Sequence, residues 1–213
     1  MTWPDRRRWH AYVRFTVLFN LFFFPIYVAG GHLASGRTVS LFLPWEPSLP
    51  LVPWMVWPYL SLYSTFLLPL FHMTPGQIAA LSRQVFLSLL AAGATFVLLP
   101  TRLGFPRDPV AGPHGPLLDL IHAVDTPHNL VPSLHVTFAA LLLLGSARRA
   151  PPLLAWTYRL WLVVMSAATV LVHQHHLLDV AAGLGLAWAA GRLFPRISRP
   201  ASAAAASRRQ SRA

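Results

Sequence analysis

The sequence predicts an all-α membrane protein, a polytopic bundle of about six transmembrane helices. Of the 213 residues, 55% are hydrophobic and only 11% are charged, and the mean hydropathy is +0.51. Soluble domains carry roughly 25% charged residues, so this composition indicates a chain that resides in a lipid bilayer. The apolar residues are also gathered in runs of about 20, the length that an α-helix needs to cross the hydrocarbon core.

Six apolar runs are candidate spans: residues 13–32, 51–71, 78–100, 133–150, 153–173 and 177–195. Pro58 and Pro69 fall inside the second run, where proline removes a backbone hydrogen bond and is expected to kink the helix. Residues 38–53 are rich in proline and aromatic side chains, which is typical of a loop at the membrane interface. Residues 1–195 therefore form one membrane domain, and the Ala/Ser/Arg-rich residues 196–213 are expected to form a disordered, basic cytoplasmic tail.

The arginine residues predict how these spans are oriented. All 17 basic residues are arginine, and with six spans only Arg37, Arg102 and Arg107 fall on one side of the membrane. The other fourteen fall on the opposite side, which the positive-inside rule assigns to the cytoplasm together with both termini. Arginine-only basic usage and short loops favour a bacterial inner-membrane protein, whose other surface faces the periplasm.

The net charge of +11 raises the alternative of nucleic-acid binding. No basic face with interleaved aromatic residues is visible, so no nucleic-acid partner is expected. The chain also has no cysteine, which excludes thiolate metal sites and cysteine nucleophiles.

Polar residues cluster at the periplasmic edge of two spans. His135 opens the fourth span, and His175 and Asp179 open the sixth. Two membrane crossings separate these segments, so they are expected to emerge at the same surface. His175 and Asp179 are four residues apart, which places them on one helix face if the helix begins by Gln174.

These residue types suit phosphoryl transfer. A carboxylate bonded to one imidazole nitrogen makes the other nitrogen a better nucleophile, so His175 held by Asp179 is the candidate to attack phosphorus. His135 is the candidate general acid that protonates the leaving alkoxide. Ser133 is expected to cap the following helix, where free backbone N–H groups bind phosphate oxygens.

Further residues at this surface are candidates for binding the substrate phosphate. Arg102 and Arg107 follow the third span, and guanidinium groups would neutralise the equatorial oxygens. His173 is another candidate ligand for the phosphate, whereas His176 is expected to point away towards the lipid headgroups. Residues 114–128 carry a polar residue at every third position, which predicts a short amphipathic helix on the interface.

Three other interpretations of the same residues stay open. One is a zinc site, for which enough ligands are present, although no glutamate lies near them in the sequence to act as base. Its candidate ligands are His135, His173, His175, His176 and Asp179. A second is a proton relay in a transporter, but the spans carry almost no charge at mid-membrane. A third is a non-catalytic lipid-binding protein that would tolerate the loss of His175.

The two polar segments resemble the type 2 phosphatidic acid phosphatase superfamily. Its second motif, Pro-Ser-Gly-His, appears as Pro132-Ser133-Leu134-His135, and the core of its third motif, His-x3-Asp, as His175 to Asp179. The resemblance covers about residues 100–183. It implies that His175 forms a phosphohistidine, Asp179 orients it and His135 protonates the leaving group, with no metal or organic cofactor.

The departures from this family pattern resemble one branch of the superfamily. Leu134 replaces glycine, Ala168 and Thr169 stand in place of Ser-Arg, and Arg107-Asp108-Pro109 stands in place of Arg-Pro. Inositol phosphorylceramide synthases and sphingomyelin synthases also lack the third-motif arginine and have a histidine-rich run, which residues 173–179 resemble. The resemblance therefore implies a lipid phosphatase or a headgroup transferase. Its substrate would be a membrane lipid phosphoester or phosphodiester, and the transferase would also need an alcohol acceptor.

Overall fold

The computed structural model describes residues 3–33, 38–107 and 109–193, and within these ranges every regular element is helical. The predicted all-α class is therefore confirmed. The tail predicted for residues 196–213 lies outside the described residues, as do Arg37 and Asp108. The helices are α1 (Arg6–Leu33), α2 (Val56–Leu60), α3 (Leu62–Thr65), α4 (Leu68–His72), α5 (Pro75–Leu98), α6 (Gly115–Val124), α7 (Leu134–Ala147), α8 (Pro152–Leu171) and α9 (Leu177–Leu193).

Three helices, α1, α5 and α8, are long and apolar enough to cross a membrane. Helices α7 and α9, with 14 and 17 residues, are shorter. Large apolar side chains point outward from several of these helices, including Leu21, Phe24, Leu160, Val163 and Trp188. An apolar surface this extensive is rare on a soluble monomer, whereas in a membrane lipid chains cover it. The composition and the long apolar helices together indicate a lipid bilayer environment.

The second apolar run, residues 51–71, does not form one helix. A 3₁₀ turn at Pro53–Met55 is followed by α2, α3 and α4, none longer than five residues. Pro58 lies inside α2 and Pro69 lies in the first turn of α4, where the ring removes a helical N–H donor. The expected kink is therefore a series of breaks.

Contacts along the helices give their relative directions. Helices α1 and α5 are parallel, because Phe22 packs against Phe86 and, nearer their C-terminal ends, Gly30 lies against Phe96. Helix α8 runs opposite to the broken segment α2–α4. Near the start of α8, Tyr158 bonds to His72 at the end of that segment. At the end of α8, the Leu171 carbonyl accepts the N–H of Val52, which precedes the segment.

Helices α7 and α9 are parallel and approach closely at their N-terminal ends. The backbone N–H of Ser133 donates to the carbonyl of Asp179 at 3.1 Å, and the Thr137 hydroxyl donates to the carbonyl of Gly183 at 3.0 Å. A Cβ atom on Gly183 would lie 2.7 Å from the Ser133 carbonyl oxygen, so only glycine fits there. We call this end of the bundle, where α7 and α9 begin, the site end, and the opposite end the arginine end.

Replacing Gly183 with alanine should push α7 and α9 apart and lower the free energy of unfolding by about 1–3 kcal/mol, as overpacking does elsewhere. Gly185 lies in the same helix, and a Cβ there meets nothing within 4 Å. Gly185→Ala is therefore the matched control, and its better helix propensity should leave stability unchanged or raised by about 1 kcal/mol. Thermal unfolding in detergent measures both variants. Equal melting temperatures for the two would contradict this description of the helix contact.

Candidate active site

His175 and Asp179 are in contact at the site end. Nδ1 of His175 lies 3.4 Å from Oδ2 of Asp179, and the same oxygen accepts the backbone N–H of His176 at 2.7 Å. The helix begins at Leu177, later than the sequence suggested, so His175 reaches Asp179 from the turn that precedes α9. Asp179 is only 1% exposed. The backbone N–H of His176 holds this buried carboxylate in place, and the carboxylate faces the His175 ring across the 3.4 Å contact.

His135 lies at the start of α7, beside this pair. The Ser133 N–H, two residues before it, donates to the Asp179 carbonyl at 3.1 Å, which places the start of α7 against the start of α9. The ring stacks on Tyr59 with 4.1 Å between centroids, and Nε2 is buried without a hydrogen-bond partner in the described part of the chain. Ser133 caps α7 by accepting the backbone N–H of Val136 at 3.3 Å, as predicted. The cap and the stacked Tyr59 ring together fix the position of His135 and leave Nε2 available for a ligand.

A carboxylate that the sequence did not single out supports Tyr59. Asp125 accepts hydrogen bonds from the hydroxyls of Tyr59 at 2.9 Å and Tyr27 at 3.2 Å. Asp125 follows directly after α6. Helix α6 itself confirms that residues 114–128 contain a short helix. The network therefore links α1 and the end of α6 to Tyr59 of α2, whose ring stacks on His135.

Arg107 is half-buried beside the same network. Its Nη1 donates to the carbonyls of His122 at 3.0 Å and Asp125 at 2.9 Å, whereas Nε and Nη2 are buried without partners among the described residues. Burial lowers the pKa of Arg107, and the Asp125 carboxylate opposes that shift. One nitrogen thus anchors the guanidinium, and Nε and Nη2 can donate hydrogen bonds to an anion. Arg102 is exposed, and its Nε donates to the Ser40 hydroxyl at 2.6 Å.

His176 does not face the lipid headgroups and is almost completely buried, with 1% exposure. Its ring lies against Phe42 and Phe105, with centroids 4.6 and 4.5 Å away. Nε2 accepts the backbone N–H of Gly104 at 3.0 Å, so the hydrogen of the neutral ring lies on Nδ1, 3.1 Å from Oε2 of Glu46. Burial lowers the pKa of His176 despite the neighbouring carboxylates, which favours this neutral form.

Glu46 is fully buried and connects three segments of the site end. Its two oxygens accept the backbone N–H groups of Leu43 at 3.0 Å and Leu177 at 2.9 Å, in addition to the contact with His176. No glutamate was expected near the histidine-rich segment, because Glu46 is 131 residues earlier than Leu177. The only sequence signal was a lone acid within an otherwise apolar, proline-rich loop.

His173 packs against Phe105, which also contacts His176. Its ring stacks on Phe105 with 4.1 Å between centroids, and Nε2 lies 3.1 Å from the carbonyl oxygen of Leu49. Its backbone adopts a left-handed φ of 59°, which turns the chain before α9 begins. Burial lowers the pKa of His173. His173 therefore has one nitrogen engaged with the protein, and phosphate binding by this residue stays a prediction.

The rival zinc site required several of these histidines to converge. Among the described residues, no three His, Asp or Glu side chains form a group that could hold a metal ion. His173 and His176 are instead committed to contacts with Leu49, Gly104 and Glu46.

Comparisons of the chain with protein-family models, with curated proteins and with solved structures found no match.

Replacing Glu46 with glutamine keeps its size but turns one acceptor oxygen into an N–H donor that faces other donors. We expect the free energy of unfolding to fall by about 1–3 kcal/mol, the cost of leaving buried hydrogen-bonding groups unsatisfied. The control is Asp119→Asn, which makes the same chemical change on the exposed face of α6. Thermal unfolding of both variants in detergent is the measurement. A Glu46→Gln protein as stable as Asp119→Asn would show that the buried carboxylate does not hold these segments together.

Proposed function

We propose that the chain is an integral membrane enzyme that cleaves a lipid phosphoester or phosphodiester through a phosphohistidine at His175. The observation that carries the proposal is the contact between His175 Nδ1 and the buried Asp179 carboxylate, next to the start of α7 where His135 lies. His175 is oriented by a carboxylate, and His135 has a buried Nε2 without a partner among the described residues. One nucleophile and one acid are the two groups that a double displacement at phosphorus needs.

In the first step, Nε2 of His175 attacks phosphorus and the bond from phosphorus to the leaving alkoxide breaks. The hydrogen on Nδ1 remains directed at Asp179, so the carboxylate stabilises the positive charge that develops on the imidazole. The alkoxide takes a proton from Nε2 of His135. The negative charge of a bound phosphate favours the protonated form of His135 that this step requires.

In the second step, the oxygen of water or of an alcohol attacks the phosphohistidine. The phosphorus–nitrogen bond breaks, the electron pair returns to Nε2 of His175, and His135 takes the proton of the attacking hydroxyl. Water gives a phosphatase, and an alcohol gives a headgroup transferase. The two activities share the first step and differ only in the acceptor.

Arg107 is the best candidate to hold the phosphate. Its Nε and Nη2 are buried and unpaired in the described chain, and its anchor on the His122 and Asp125 carbonyls connects it to the support of His135. A guanidinium fixed in this way is preorganised for the equatorial oxygens of the transferred group. Ser133, whose hydroxyl caps α7, supports phosphate binding through the N-terminal turn of that helix.

We further propose that the chain crosses the membrane six times, with the broken segment α2–α4 as the second crossing. The parallel directions of α1 and α5 support this, because residues 34–74 must return from the site end to the arginine end. The positive-inside rule then puts the arginine end in the cytoplasm and the site end in the periplasm of a bacterial inner membrane.

This orientation is tested by cysteine labelling, because the chain has no cysteine of its own. A cysteine introduced in Ala111→Cys, at the site end, should react with a membrane-impermeant maleimide on intact cells. The control His10→Cys, near the start of α1, should react only after the membrane is opened. Labelling of both positions on intact cells, or of His10→Cys alone, would contradict the proposed orientation.

The catalytic proposal is tested with purified protein in detergent and a panel of labelled lipid phosphates and phosphodiesters, with and without inositol and other alcohols. His175→Ala should abolish turnover, and Asp179→Asn should lower it by about 10²-fold or more. Release of free phosphate without an acceptor identifies a phosphatase, and a new phospholipid formed only with an alcohol identifies a transferase.

The matched control for this assay is His114→Ala, which removes another histidine of the site end, whose ring meets the edge of Trp57. It should keep wild-type turnover. Full activity in His175→Ala would refute the mechanism. Activity lost with EDTA and restored by zinc would favour the metal interpretation, and no turnover of any substrate would favour a non-catalytic lipid-binding protein.

A further inference from the structure

We infer that the groove between α1 and α5 binds an anionic phospholipid from the leaflet at the arginine end. The groove has a volume of about 440 Å³ and lies between two helices that are each long enough to cross a membrane. Its walls are mostly aromatic and aliphatic, including Phe19, Phe22, Val85 and Phe86. A groove of this kind between spanning helices is the right environment for an acyl chain.

Two arginines, Arg14 and Arg83, line the same groove. Both are exposed, and among the described residues neither has a hydrogen bond or an ion pair. No acidic residue is among the residues that line the groove. Charged side chains in membrane-spanning segments are costly and usually paired, so two unpaired guanidinium groups against an apolar wall call for an anionic partner.

The two guanidinium groups are placed to act together. In the parallel pair, Phe22 of α1 is level with Phe86 of α5, so Arg83 lies about five residues, or about 7.5 Å, further from the arginine end than Arg14. Each arginine is eight residues beyond the first residue of its helix, or about 12 Å along the axis. Arginine side chains are long and flexible, so both can extend towards the headgroup region at the arginine end. There they can bind the phosphate oxygens of one lipid from two sides.

The ligand that fits both features is a lipid with an anionic headgroup, with its tail along the phenylalanine wall and its phosphate between Arg14 and Arg83. A zwitterionic lipid would fill the groove but would bring an ammonium group near the two guanidinium groups. This site lies towards the arginine end, away from His175, and does not depend on the proposed catalytic activity.

Native mass spectrometry of the full chain, titrated in detergent with phosphatidylglycerol or phosphatidylcholine, tests the inference. The wild-type protein should prefer phosphatidylglycerol, and the double variant Arg14→Gln/Arg83→Gln should lose about tenfold in affinity for it. Binding of phosphatidylcholine should be unchanged in that variant.

The matched control is Arg159→Gln/Arg192→Gln, which removes the same charge from two arginines that stack on Trp156 and Trp188 outside the groove. It should keep the preference for phosphatidylglycerol. An equal loss in both double variants would overturn the inference, because it would show that only net charge matters. Equal affinity of the wild type for both lipids would also overturn it, as would a dimer that excludes lipid from the groove.

Discussion

The hydrogen bond between the Ser133 N–H and the Asp179 carbonyl is the interaction on which the proposed site depends. It holds the first turns of α7 and α9 together, and Gly183 lets the two backbones approach closely enough for it to form. His135 belongs to one of these turns, and Asp179 belongs to the other. These two residues are 44 positions apart in the chain, and this helix contact brings the acid to the carboxylate that orients the nucleophile.

Around this contact, two carboxylates each accept hydrogen bonds from distant segments. Glu46 joins its loop to the start of α9 and to His176, and Asp125 joins Tyr27 and Tyr59 beneath His135. In a low-dielectric environment an unpaired buried carboxylate would be costly, so these bonds also specify how the loops pack. Nε2 of His135 and two nitrogens of Arg107 are among the buried polar atoms without a partner in the described part of the chain, and a phosphate ester could bind to them.

The sequence was informative where a feature is local. Apolar runs located α1, α5 and α8, and a spacing of four residues paired His175 with Asp179. Ser133 was recognisable as a cap because its position before an apolar helix is a local signal. The partners of His176 and Tyr59 could not be found in this way, since Glu46 and Asp125 meet them only after distant segments have packed. The breaks within residues 51–71 were foreseen only in part, because a proline can either kink a helix or end it.

The central claim is that His175 becomes phosphorylated during turnover, and trapping that intermediate is the most direct test. Protein is mixed with the lipid substrate that it turns over, without an alcohol acceptor, and quenched under denaturing, alkaline conditions that preserve phosphohistidine. Peptide mass spectrometry should find the phosphate on His175 in the wild-type protein and none at that position in His175→Ala. Rapid turnover with no phosphohistidine, or with the phosphate on a different residue, would contradict the account.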